Sequence, residues 1–217
     1  MHRILLAAAA MALAAATLLA MAGSAFAAGP AAGQWEIGPV IRGKNYSYRM
    51  PLRPEARRDG PSFAIPGPSA ADGHVHYLTV PTGPLAGARR ITLTYRIDAA
   101  PGTRFVPQET PDQAATLSLY FQRAGDGWTM RQPDWRWYAP HARTVPLRPG
   151  THRVSIALDE NWVAMSGSDA QSNPRGFAAA LADTARVGFV LGSSSGRGHG
   201  VFATAPARFT ILDFRVE

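Results

Sequence analysis

Residues 90–97 place an apolar side chain at every second position: Ile91, Leu93, Tyr95 and Ile97 alternate with Thr92, Thr94 and Arg96. A side-chain period of two belongs to a β-strand with one face on a core and the other in water. The same spacing recurs in residues 74–80 and 116–121, at Val154, Ile156 and Leu158, and at Val187, Phe189 and Leu191. It closes the chain at Phe209, Ile211, Phe214 and Val216, where the wider step after Ile211 predicts a β-bulge. One polar face per strand predicts antiparallel sheets packed on one side. The fold class expected is therefore all-β, an antiparallel β-sandwich of jelly-roll type.

Gly and Pro punctuate the strands. Gly125-Asp126-Gly127 and Arg148-Pro149-Gly150 read as turns. Pro51, Pro54, Pro61, Pro66 and Pro68 crowd residues 50–72, which reads as a long irregular crossing. Helix is expected in one place, residues 174–182. Asn173 is positioned as its cap, Pro174 as its first helical residue, and Phe177 and Leu181 lie four apart on one side. The 217-residue length suits one such domain, spanning residues 28–217.

Residues 1–27 stand apart. Arg3 precedes a long apolar run that ends in Ala25-Phe26-Ala27, the three-part pattern of a secretory signal peptide. The alternative is an uncleaved membrane anchor, since the run nearly reaches bilayer length. An anchor has no use for the small residues at the end, so cleavage and export to a periplasm or the extracellular space are expected. No later stretch is apolar enough to span a membrane.

The formal net charge is +7 and Lys44 is the single lysine, so the positive charge is carried by arginine. The arginines are scattered, which fits a solvated surface. Nucleic acid is not an expected partner, because that would call for a clustered stripe with interleaved aromatics. The absence of cysteine excludes disulfides, thiolate metal sites and cysteine nucleophiles.

Three segments together carry a family resemblance: the strand at 187–192, the Gly-rich loop Gly196-Arg197-Gly198-His199-Gly200-Val201, and the last strand at 207–216. They resemble exported β-sandwich domains of the galactose-binding-like kind, which include many carbohydrate-binding modules. Trp135-Arg136-Trp137-Tyr138 and residues 145–152 resemble exported bacterial proteins that share this ending. The resemblance covers roughly residues 88–217. It implies a sandwich and sugar binding, and it transfers no catalytic residue.

The residues themselves offer four candidate chemistries. Trp128, Trp135, Trp137 and Tyr138 lie close together, interleaved with Asp134 and Arg136. Indole faces stack on the C–H faces of sugars while charged groups bind the hydroxyls, so this cluster is the expected ligand site. On a strand, Trp135 and Trp137 would share one face and Arg136 and Tyr138 the other; the competing reading puts the tryptophans in the core, where Trp162 is also expected. The loop at 192–200 is expected as a second wall, through Ser194, Arg197 and His199. Gly192-Ser193-Ser194-Ser195-Gly196 matches the form of a nucleophile elbow, but no helix follows it, and it reads as a loop.

His74 and His76 project from one strand face with Asp72 nearby, the pattern of a divalent metal site; the competing reading is a solvent-facing pair. No acidic loop is dense enough for calcium, although a calcium site built from backbone carbonyls stays open. No pair of carboxylates is selected for glycoside hydrolysis. The function expected is non-catalytic binding of a carbohydrate or similar polar ligand. Its rivals are a metal-dependent jelly-roll enzyme using His74 and His76, and a structural or envelope-interaction protein without a small ligand.

Overall fold

The computed structural model describes residues 29–69 and 74–217. The leader-like segment 1–27 and Asp72 lie outside them. Sixteen strands are described in chain order: β1 (Glu36–Gly38), β2 (Val40–Ile41), β3 (Lys44–Asn45), β4 (Glu55–Arg57), β5 (Gly60–Ile65), β6 (His76–Pro81), β7 (Arg90–Ala99), β8 (Phe105–Pro107), β9 (Thr116–Arg123), β10 (Arg136–Tyr138), β11 (Val145–Pro146), β12 (Gly150–Ala157), β13 (Val163–Ala164), β14 (Thr184–Gly192), β15 (Val201–Ala203) and β16 (Ala207–Val216). One α-helix, α1 (Pro174–Ala182), precedes β14.

Two antiparallel sheets form the sandwich. The first has seven strands in the order β1-β6-β14-β9-β10-β13, with β11 pairing the other half of β9. The second runs β12-β7-β16-β5-β4. Two short ribbons, β2-β3 and β8-β15, lie outside them. The alternation does what the sequence promised. Leu117, Leu119 and Phe121 of β9 and Val187, Phe189 and Leu191 of β14 share one core with Ile91, Leu93, Tyr95 and Ile97 of β7. Phe189 of one sheet stacks on Phe209 of the other at 5.2 Å between ring centres. Each such side chain contributes about 1.5–3 kcal/mol by leaving water, which is what closes two sheets face to face.

The register of β16 on β7 shifts between Ile211 and Asp213, the expected bulge. Helix α1 forms where expected, and the Asn173 side chain accepts a hydrogen bond from the Gly176 N–H at its start. Phe177 turns one side of α1 against Trp137, with ring centres 4.9 Å apart.

The stretch 50–72 departs from expectation. Within it β4 and β5 form a hairpin that adds to the five-stranded sheet, with Phe63 opposite Phe209. Proline density suggested an irregular crossing, but Pro51, Pro54, Pro66 and Pro68 lie outside both strands. Phe63 and Ile65, two apart and buried, decide the local structure.

Candidate functional site

Alternation also dictates what the seven-stranded sheet shows on its outer face. Tyr77 of β6, Val190 of β14, Tyr120 of β9 and Tyr138 of β10 project away from the core and form a second apolar cluster, joined by Val75, Trp128 and Met165. Gly188 lies directly opposite Tyr120 and adds no side chain between the rings. The Tyr77 and Tyr138 hydroxyls meet at 2.7 Å. Burial raises the pKa of all three phenols, so they stay neutral hydroxyls across the physiological range.

This cluster floors a cleft. One part, about 430 Å³, lies among Tyr77, Tyr138, Trp128, Arg136 and the β2-β3 ribbon. A second, about 200 Å³, runs from Tyr138 past Met165 to His141, Ser194 and Arg197. Tyr138, Met165 and His199 line both, so the two parts share a boundary.

One wall is the segment 124–132. Asp126 holds it: its side chain is fully buried, pairs with Arg136 at 3.0 Å, and accepts from Gln122 (3.0 Å) and from the Trp128 N–H (2.8 Å). Trp128 sits at φ 60°, in the left-handed region that costs a bulky residue energy. That conformation sets its ring edge-on to Tyr77 at 4.9 Å and beside the Arg136 guanidinium at 5.4 Å. The opposite wall is the loop after β14. Gly198, at φ 77°, lets this loop touch the Tyr77 ring, since a β-carbon there would come within 2.6 Å of it. The Gly198 carbonyl accepts from the His76 N–H at 2.8 Å and fixes the loop to β6.

The expected site residues thus divide. Trp128, Arg136, Tyr138, Ser194, Arg197 and His199 come together around one cleft. Trp137 does not: it points into the core at 0% exposure, and its indole N–H donates to the Asp134 carbonyl. Trp135 and Asp134 are set aside too. Both belong to a 3-10 turn, Pro133–Trp135, not to β10. The Trp135 ring lies by the Arg123 guanidinium, and the Asp134 carboxylate accepts from Ser166, Ser168 and Asn173. Asp134 fastens the turn to the segment before α1, and Trp135 rests against the end of β9. Trp162 is in the core, as expected.

Tyr77, Met165 and Val75 are cleft residues that sequence reasoning missed. Tyr77 carried a signal, since it is the large aromatic on the supposedly polar side of an alternating strand. Ser194 is exposed in a loop and its hydroxyl approaches Gln113, while His199 pairs with Glu109 at 2.6 Å, so serine and histidine are not joined as nucleophile and base.

His76 opens β6 and His74 lies just before it, with ring centres 6.5 Å apart; both are buried, which corrects the solvent-facing reading. His76 Nδ1 accepts from the Val201 N–H at 3.1 Å, and its Nε2 has no partner. Burial, then neighbouring His74, pull the His76 pKa down to about 3, so the ring is neutral. The His74 ring packs against Tyr48. Among the described residues, no three His, Asp or Glu side chains gather as a metal site would require.

No family model and no curated protein matches the chain. Among solved structures it is similar to a xylan-binding module (CBM15), with a TM-score of 0.37 and 14% identity over 85% of this chain and 94% of that one. Among the described residues no helix is long and apolar enough to cross a membrane.

Proposed function

We propose that the protein binds a saccharide chain, without cleaving it, in the cleft on the outer face of the seven-stranded sheet. The observation that carries this reading is the lining of the cleft: Tyr77 and Tyr138 form its largely buried aromatic floor, Trp128 stands beside them, Ser194 and Arg197 supply donors at one end, and no carboxylate among the described residues lines it. Flat apolar patches bordered by directed donors suit a pyranose, which is apolar above and below its ring and hydroxylated around it. Glycosidic cleavage uses two acids placed across the bond, and among the described residues none lines this cleft. The reading includes export, supported by the signal-like pattern of residues 1–27. That places the protein in a periplasm or outside the cell, where polysaccharides are met.

A glycan array followed by calorimetry tests it. Trp128→Ala is expected to weaken the best array ligand at least tenfold, about 1.4 kcal/mol. Trp135→Ala, away from the cleft, is expected to stay within twofold. An array without a bound glycan would overturn the reading, and so would equal losses in the two variants.

A further inference from the structure

The basic side chains along the cleft are not alike. Arg136 is matched by Asp126 at 3.0 Å, and His199 by Glu109 at 2.6 Å. Arg197 has no carboxylate within ion-pair distance among the described residues. Its Nη1 donates to the Ala139 carbonyl, and its Nε and Nη2, both shielded from bulk water, have no hydrogen-bond partner among the described residues. The guanidinium lies 5.8 Å from the centre of the Tyr138 ring, over the same ring that joins the two parts of the cleft. Around it stand His141, Ser194 and Ser195, which carry no negative charge.

A partly buried cation without a counter-ion is costly, and pairing it with an anion offsets that cost. Burial lowers the Arg197 pKa to about 10, which leaves it charged at neutral pH. The unpaired Nε/Nη2 edge is the side of a guanidinium that takes a carboxylate by two parallel hydrogen bonds. Lysine or histidine would answer to charge alone, whereas this edge also selects a planar, two-oxygen acceptor. Seating it calls for a small side-chain adjustment at the narrow end of the cleft, of the kind common at binding sites.

We infer that the cleft takes an acidic saccharide, one whose uronate carboxylate is clamped by Arg197 while its ring lies against Tyr138. This rests on the saccharide reading above and narrows it to a ligand class. In the seated complex the ligand supplies the counter-ion that Arg197 lacks among the described residues, and the serine hydroxyls of the loop serve the neighbouring ring oxygens.

Calorimetry on the purified protein with uronate tetrasaccharides (galacturonate, glucuronate and mannuronate) and their carboxyl-reduced, neutral counterparts tests it. At least one acidic ligand is expected to bind ten times or more tightly than its neutral counterpart. Arg197→Gln should abolish that preference, so that the acidic ligand binds no more tightly than its neutral counterpart. Arg197→Lys, which keeps the charge and loses the fork, should recover only part of it. Thermal midpoints of both variants check that the fold is intact.

Equal binding of acidic and neutral forms overturns the inference and leaves saccharide binding standing. A preference that survives Arg197→Gln overturns it as well. Tighter, Arg197-dependent binding of a sulfated tetrasaccharide would replace the carboxylate with a sulfate ester. Failure to bind any glycan removes the saccharide reading together with the inference.

Discussion

The outward faces of the two sheets obey the same alternation and reach opposite ends. On the five-stranded sheet, the outer positions are Thr92, Ser155, Ser62, Thr210, Arg96 and Arg208, and they satisfy one another. Thr92 meets Ser155 at 2.8 Å and Ser62 meets Thr210 at 3.2 Å. Arg96 pairs with Asp59 and Asp98, and Arg208 with Glu55. On the seven-stranded sheet, the outer positions carry Tyr77, Tyr120, Tyr138 and Val190 under a loop, with an arginine left unmatched at one end. The first face matches these groups across its strands. The second keeps a cleft above its buried tyrosines and, among the described residues, a guanidinium without a counter-ion, which suits a place that takes a ligand.

The widest contrast lies between two aspartates. Asp126 has a fully buried side chain and anchors the wall of the cleft through Arg136, Gln122 and Trp128. Asp126→Ala would leave Arg136 buried without its counter-ion, a change that typically costs about 3–5 kcal/mol. Urea denaturation should show that loss, and ligand binding should fall with it because Trp128 loses its hold. A loss under about 1 kcal/mol would mean that the wall is solvated like the opposite sheet, and the distinction between the faces would dissolve.

A second test addresses the end of the seven-stranded sheet, where the loop from 193 to 200 folds over His76. The unfolded chain protonates this histidine near its ordinary 6.5, while the folded chain refuses the proton until about pH 3. Below 6.5 the unfolded state therefore binds more protons, and stability falls as the pH falls. Above 6.5 both states hold the ring neutral and the contribution is flat. Between pH 7 and pH 5 the expected loss is about 2 kcal/mol, at about 1.4 kcal/mol per pH unit below 6.5. His76→Gln should remove most of that slope while lowering stability at pH 7. An unchanged slope would show that His76 is protonated in the folded protein, and the packing of the loop on β6 would have to be redrawn.

What the sequence disclosed, and what it withheld, follows from the same two faces. Period-two spacing is a property of the strand alone, so β7, β9, β12, β14 and β16 were legible, down to the bulge after Ile211. The cap and proline of α1 are equally local. The inside of a sheet is not local when both sides are apolar. In β10 the alternation separates Trp137 from Arg136 and Tyr138, yet hydrophobicity would have sent either aromatic inward. The answer came from long-range register, Trp137 beside Phe121 and Tyr138 beside Tyr120. Trp135 was misjudged because Pro133 starts a 3-10 turn and takes it off the strand. Asp134 was misjudged because its partners, Ser166 to Asn173, lie more than thirty residues away. Arg197, by contrast, was visible as a loop cation, but that no described carboxylate pairs with it depends on long-range packing and is written in no motif.

The smallest expected effect falls on the five-stranded face. Asp98 is 54% exposed at its side chain, and its partner Arg96 also holds Asp59. Asp98→Ala removes one of two anions from a cation that water already screens, so the stability change should stay under about 1 kcal/mol and shrink further in high salt. Saccharide affinity should not move, since the five-stranded sheet lies across the core from the cleft. Denaturation at two ionic strengths, with calorimetry on the same variant, measures both. A change in affinity here would break the comparison at its base, because it would couple ligand binding to a face whose polar groups are already matched to one another.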